Sequence, residues 1–281
     1  MNLCVPLVCS VVAVAAAVRS TWSPCGLSML STITPFSERA KGHSYRATST
    51  WFVAGATAGG ASLGLLMAAS ALVVGAIHPS ETVMGMVALT ASVVAAVSDM
   101  GVGGFHLPFH RRQVNERWLD QFRPSVYGLG FGWQIGTGLA TYITTSAVYL
   151  MIVLGALTGR PVVALAVGVS FGLLRGTAVL LTRRVTDPTG LRDFHRRFFE
   201  AGPVVARLVI GVELGSAVLV GSWLGSPAAG AAAVAVVLAA ALTRRARSSG
   251  RAPDVSVCPV PTAGGHGRDT PAPAHGSQVP G

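Results

Sequence analysis

The chain has 281 residues, of which 51% are hydrophobic and only 11% are charged. Soluble domains carry about 25% charged residues, so this composition excludes a soluble globular protein and predicts an all-α polytopic membrane protein. The formal net charge of +10 does not indicate nucleic-acid binding, because the basic residues lie in short clusters between apolar runs and no recognition module is present.

Seven apolar runs are each long enough to cross a bilayer, which takes about 20 residues in a helix. They lie at 7–36, 50–77, 82–101, 125–157, 162–182, 203–224 and 227–243. Residues 1–247 are therefore predicted to form the transmembrane domain. Residues 248–281 are rich in Pro and Gly, which disfavours a buried core, and are predicted to be a disordered cytoplasmic tail.

The distribution of arginine predicts the orientation, because cytoplasmic loops carry the excess of basic residues. Basic clusters lie in alternate loops, at 39–46, 111–123, 183–197 and 244–251. In the opposite set of loops the only lysine or arginine is Arg160. We therefore expect a multi-pass plasma-membrane protein with its N-terminus outside and its C-terminus in the cytoplasm. The segment "LRDFHRRFF" has apolar residues at helical intervals and is predicted to be a short helix in the headgroup layer.

Spans one and four share an unusual feature, since both are longer than a bilayer requires and both contain helix-disrupting residues. The first reads "STWSPCGLSMLSTITPF" and the fourth "YGLGFGWQIGTGLATYITT". Aligning Gly26 with Gly136 places Pro24 opposite Gln134 and Cys25 opposite Ile135. We expect these residues to shape matching interruptions in the two spans.

The next spans continue the correspondence, because Gly55-x3-Gly59 matches Gly168-x3-Gly172. Spans one to three and four to six therefore predict two inverted three-helix repeats, at about 7–101 and 125–224, followed by an extra C-terminal helix at about 227–243. Transport proteins often use this plan, with discontinuous helices at matching positions forming the central site. We expect the paired glycines to serve close helix packing.

The cysteines predict neither a disulfide scaffold nor a metal site. Cys4, Cys9, Cys25 and Cys258 include no CxxC pair and no Cys/His cluster at metal spacing, so no cofactor is expected. Cys9 precedes Cys25 by about 24 Å of helix at 1.5 Å per residue, whereas a disulfide needs α-carbons within about 7 Å. The two are therefore not expected to form a bond.

The motif "SPCG" in a long first span, followed by "FVAGATAGG" in the second, resembles the DsbD/CcdA family of transmembrane thiol-disulfide electron transporters. The resemblance implies that Cys25 exchanges disulfides with a cytoplasmic thioredoxin-like partner and that the chain handles reducing equivalents or serves cytochrome c biogenesis. In the family a cysteine in each half forms a reversible disulfide. Here the matching region "GWQIGTG" has none, so Cys25 has no internal partner.

The surroundings of Cys25 suit a reactive thiol. Pro24 lacks an amide hydrogen and breaks the helix, which predicts a cavity. Cys25 begins the following helical half, where the positive helix end and nearby Arg19 would stabilise negative charge on sulfur. The alternative is an inert cysteine packed at a helix kink.

Two charges lie within the predicted spans, where each costs at least about 2.5 kcal/mol unless it is compensated. Arg175 and Glu213 are expected either to pair with each other or, with Gln134, Thr137 and Thr141, to line a polar path for a small anion or a proton. Asp99 and Arg207 lie near span ends and are expected in the interface.

Three functions follow from these features. The first is a thiol-redox membrane protein acting through Cys25, the second is a small-solute transporter with a path near Arg175 and Glu213, and the third is a membrane scaffold. No phosphate loop, HExxH motif or nucleophile elbow indicates a conventional enzyme.

Overall fold

The computed structural model describes residues 4–107, 123–140 and 143–225, together with 230–231, 234–235 and 238–239. These residues are helical and include no strand, as the sequence predicts. The predicted tail at 248–281 and most of the predicted span at 227–243 fall outside them. The helices are α1 (Cys4–Ser20), α2 (Pro24–Thr32), α3 (Pro35–Ala40), α4 (Tyr45–Ile77), α5 (Glu81–Met100), α6 (Pro124–Thr137), α7 (Ala147–Leu157), α8 (Pro161–Thr177) and α9 (Pro188–Trp223), with 3₁₀ turns at Val102–Gly104 and Ala178–Thr182.

Proline sets the start of many of these helices. It occupies the first helical turn of α2, α3, α6, α8 and α9. Proline suits this position because its fixed φ is already helical and its missing N–H would have no intrahelical partner there. In three cases the side chain of the preceding residue, Ser23, Thr34 or Asp187, accepts the backbone N–H three residues on, which completes the cap.

Four helical segments are long and apolar enough to cross a membrane: Tyr45–Ile77, Glu81–Met100, Pro161–Thr182 and Pro188–Trp223. A fifth candidate is the pair α1 and α2, which meet at a bend of 64°. The predicted fourth span is divided into α6 and α7 by residues 138–146, and each part is shorter than a bilayer crossing. The described residues therefore hold four or five candidate spans.

The segment "LRDFHRRFF" is not the separate surface helix that its periodicity predicts. It forms the first part of α9, which runs from Pro188 to Trp223 and contains Pro203. The segment packs against the bend between α1 and α2: Trp22 stacks on Phe198 with ring centroids 4.2 Å apart, and its Nε1 donates to the Phe198 carbonyl at 2.8 Å. These contacts favour continuation of the helix over separation at Pro203.

The centre of the fold is formed by α4, which packs along α6 on one side and α8 on the other. Glycine rows line both contacts. A Cβ on Gly60 would lie 2.7 Å from Cα of Gly172, and a Cβ on Gly59 would lie 2.8 Å from the amide of Thr137. The predicted role of the Gly-x3-Gly spacings in close packing is thereby confirmed.

The remaining helices surround this unit and divide its apolar interior in two. In one half α1 packs against α7, α8 and α9, while α5 packs along α9. In the other half α2, α6 and the start of α4 enclose a smaller cluster that includes Phe52, Tyr127 and Cys25. The two breaks in the helices lie beside these two clusters.

Candidate functional site

Cys25 lies directly after the break between α1 and α2. Ser23 caps α2 by accepting the Gly26 amide at 3.1 Å, Pro24 occupies the first turn, and Cys25 is 3% exposed. A Cβ on Gly26 would overlap the carbonyl oxygen of Thr21, so only glycine permits this tight turn. The sequence therefore locates the break correctly at Pro24, and Gly26 shapes it as expected.

Arg175 faces the same place from α8. Its side chain is 2% exposed, it lies within Coulombic reach of Cys25, and its Nη1 donates to the Ile135 carbonyl at 2.7 Å. The break after α6 leaves the last carbonyls of that helix without ordinary helical donors, and Arg175 serves one of them. The guanidinium also lies 5.9 Å from the centroid of the Phe171 ring.

The cation near Cys25 is therefore Arg175, not Arg19 as the sequence suggests. Arg19 lies instead within Coulombic reach of Asp99. Sequence proximity favoured Arg19, but the 64° bend changes the chain direction between it and Cys25. The site combines a buried thiol, a buried guanidinium and a helix end.

The second break lies later than the alignment predicts. Gln134 and Gly136 belong to α6, and the helix ends at Thr137 before Gly138, which has a φ of 68°. A Cβ on Gly136 would overlap the carbonyl oxygen of Ala56. Gly136 therefore serves packing against α4, while Gly26 serves a turn, and the two are not structurally equivalent.

Two of the other predicted path residues, Gln134 and Thr137, lie on α6. The Thr137 hydroxyl donates to the Gln134 carbonyl within the helix at 2.8 Å, and Gln134 is only half-buried. Thr141 lies outside the described residues.

The sequence suggests that Glu213 pairs with Arg175, but the structure does not contain this pair. Within the described part of the chain, neither of its carboxyl oxygens has a hydrogen-bond partner, although the residue is 0% exposed. Its charged neighbour is Asp99. The predicted direct pairing of Arg175 with Glu213 is therefore wrong, whereas the predicted polar path remains a prediction.

The position of Asp99 near a span end predicts an interfacial side chain, but the structure shows it bonded within the fold. It accepts the Ser146 amide at 2.7 Å and the Thr145 hydroxyl at 2.5 Å. Both donors belong to the break between α6 and α7, so Asp99 caps the start of α7. The residues lie more than 45 positions apart, and no local pattern connects them.

A further buried carboxylate, Glu38 on α3, was not predicted from the sequence. It is 0% exposed and accepts hydrogen bonds from the hydroxyls of Tyr127, at 2.7 Å, and Thr48. His43 Nδ1 lies 4.0 Å from one carboxyl oxygen. Glu38 thus links α3, α4 and α6 through hydrogen bonds. Its burial was not predicted because the surrounding sequence is polar and contains basic residues.

Replacing Glu38 by alanine is expected to cost about 2 kcal/mol of stability, because it leaves two buried hydroxyls without their acceptor. Thermal melting in detergent measures this loss. The matched control is Glu200→Ala, since Glu200 is exposed on α9. Equal melting temperatures for the two variants would contradict the assigned role of Glu38.

Comparison with known proteins finds several relatives that share one name. The chain is 31% identical over 179 residues to "Methylamine utilization protein MauF" of Paracoccus versutus, covering 61% of this chain and 63% of the relative. The proteins of the same name from Paracoccus denitrificans and Methylobacillus flagellatus are each 32% identical, over 171 and 147 residues. These matches cover 58% and 50% of this chain and 59% and 50% of the relatives.

No family model and no solved structure matches the chain. The chain spans between half and two thirds of the length of the curated relatives it matches. It is therefore similar to the MauF proteins over part of their length.

Proposed function

We propose that the protein is a membrane thiol-exchange protein of the DsbD/CcdA type that acts through Cys25. The observation that supports this most directly is that buried Arg175, which donates to the Ile135 carbonyl near the end of α6, lies within Coulombic reach of buried Cys25 at the start of α2. A cation and a helix N-terminus both stabilise a thiolate, which is the nucleophile in disulfide exchange. Cys9 has neither feature: it lies within α1 and its Sγ is 3.6 Å from the Met151 carbonyl.

A single cysteine limits the chemistry to a relay between partners. The Cys25 thiolate attacks a partner disulfide, one sulfur of which joins Cys25 in a mixed disulfide while the other leaves as a thiolate. A dithiol donor then attacks the Cys25 sulfur and releases the reduced first partner. The donor's second thiol displaces Cys25, so the donor is oxidised, the acceptor is reduced and Cys25 is regenerated.

The proposed architecture is a pair of inverted repeats, with the N-terminus outside and a cytoplasmic thioredoxin-like partner. Supporting it, helices of equal rank in the two halves contact one another: α4 packs along α8, and α5 along α9. The broken first and fourth spans also meet, through α1 and α7. Reciprocal contacts of this kind are expected when two similar units are related by an axis in the membrane plane.

The relatives' printed name suggests a setting for this exchange. We place the protein, as part of the same proposal, in a membrane step that supports the utilisation of methylamine or a related small amine. The thiol exchange would then act on a protein partner of that process rather than on the amine itself, because the Cys25 site lies among buried apolar side chains.

The proposal predicts a mixed disulfide at Cys25. A variant with Cys25 as its only cysteine, mixed with a thioredoxin that lacks its resolving cysteine and is activated as a disulfide, is expected to give an adduct on a non-reducing gel. The matched variant with Cys9 as its only cysteine is expected to give none, since Cys9 is also buried but no cation among the described residues acts on it.

Absence of the Cys25 adduct, together with resistance of that thiol to maleimide from both membrane sides, would rule out thiol exchange. A second candidate function, transport of a small solute, is favoured by the unpartnered carboxyl of Glu213. Transport predicts that Cys25→Ser is tolerated and Glu213→Gln is not, whereas thiol exchange predicts that Cys25→Ser abolishes activity.

A further inference from the structure

Glu213 is a buried carboxyl whose hydrogen-bonding capacity is unused. It lies within α9, is 0% exposed, and neither Oε1 nor Oε2 meets a donor among the residues that the structure describes. An unsatisfied polar group in a membrane interior costs several kcal/mol. Such a cost points to a ligand that satisfies the carboxyl when the site is filled.

The charges around Glu213 do not balance. The helices that pack against this part of α9 include α5 and α1, which bring Asp99 and Arg19 into the neighbourhood. Among the residues that the structure describes, Arg19 acts on Asp99, and no cation acts on the carboxyl of Glu213. Arg175 is occupied at Ile135 and Cys25, and Arg207 on the same helix is exposed.

Hydroxyl groups lie one turn from Glu213 on α9 and around Asp99, its charged neighbour. Ser216, one turn after Glu213, donates to Ser92 at 3.0 Å, and Ser146 donates to Ser98 at 2.7 Å. The Thr144 hydroxyl, in the nearby break between α6 and α7, is also buried without a partner among the described residues. Oxygen ligands beside an interrupted helix are the chemistry by which membrane proteins hold small cations.

We propose that Glu213 provides the carboxylate of a binding site for one small monovalent cation, an alkali ion or an ammonium ion. A single charge matches the single uncompensated carboxylate. A divalent ion would leave an excess positive charge in the apolar interior and would need to shed a tightly held hydration shell. This site is separate from the thiol at Cys25 and does not depend on the thiol-exchange proposal.

The test compares full-length protein in detergent in sodium, ammonium and choline chloride at equal ionic strength. Binding to the folded state raises the melting temperature, and we expect a rise of about 2–4 °C in sodium or ammonium relative to choline, which is too large for the site. A response to sodium alone identifies an alkali site, and one to ammonium alone identifies an ammonium site. Glu213→Gln is expected to lose the response, whereas Glu200→Gln on the same helix and Cys25→Ser keep it.

Two further measurements keep the proposal testable if Glu213→Gln does not fold. Radiolabelled sodium or ammonium is expected to bind the wild-type protein at about one ion per chain. The Ser216→Ala variant is expected to bind it about threefold more weakly or worse. Infrared difference spectra on adding the cation should show loss of any protonated carboxyl band at Glu213. The proposal would be overturned by equal melting temperatures in all three salts, or by a wild-type protein that shows no saturable ion binding. Glu213 would then be a permanently protonated carboxyl with a structural role.

Discussion

Replacing Gly60 by alanine is expected to lower the melting temperature of the protein in detergent by about 6–12 °C. The added Cβ would lie 2.7 Å from Cα and 2.8 Å from the amide nitrogen of Gly172. Both are backbone atoms, so no side-chain rotation relieves the overlap and α4 must move away from α8. Overpacking of this kind costs about 3 kcal/mol at its upper range, and each kcal/mol shifts the melting temperature by about 2–4 °C in a chain of this size.

Gly211→Ala is the matched control, because it adds the same methyl group to a helix at a position where nothing lies within 4 Å. It is expected to leave the melting temperature unchanged or to raise it slightly, since alanine favours a helix over glycine. Combining Gly60→Ala with Gly172→Ala is expected to cost less than the sum, because both methyl groups force the same separation. Similar melting of the Gly60 and Gly211 variants would show that backbone contact does not limit stability here.

Replacing Arg175 by glutamine is expected to slow formation of the Cys25 mixed disulfide about tenfold or more while leaving the protein folded. The shorter glutamine removes the charge that acts on Cys25, while the Ile135 carbonyl still accepts the Gly138 amide at 3.2 Å. Exchange rates follow the amount of thiolate, and a buried cation stabilises the thiolate more strongly than one in water. The rate of adduct formation with single-cysteine protein measures the effect.

Arg175→Lys separates charge from packing. Lysine keeps the cation but loses the planar guanidinium that lies over Phe171, so we expect its exchange rate to stay closer to wild type than that of the glutamine variant. Size-exclusion profiles check that both variants remain folded. If glutamine and lysine variants react at the same rate, the charge of Arg175 has no part in thiol reactivity.

The breaks and helix starts could be predicted from the sequence where local covalent chemistry determines them. Pro24 lacks an N–H and Ser23 can cap, so the end of α1 and the start of α2 follow from adjacent residues. The second break was misplaced because glycine has two uses. Gly136 permits close approach to α4, whereas Gly138 permits a positive φ at the helix end, and both are the same letter in a sequence.

The polar contacts could not be predicted because they join distant parts of the chain. Arg175 and Glu213 are both charges within apolar runs, which suggested that they pair, but they lie on helices that present them to different clusters. Asp99 is compensated by a backbone amide and a hydroxyl of residues 145–146. A backbone amide is available at almost every position, so sequence alone does not indicate which one will serve as the partner.

The glycine contacts of α4 have a consequence for motion. Where backbones touch directly, no side chain lies between them whose rotamer could change, so α4, α6 and α8 are expected to move as one rigid body. Helix α2 differs, because it is bounded by the bend at Thr21–Ser23 and by the non-helical residues Ile33 and Thr34. Any opening that exposes Cys25 to a partner is therefore expected to bend at these two points, and the stacked rings of Trp22 and Phe198 lie at the first of them.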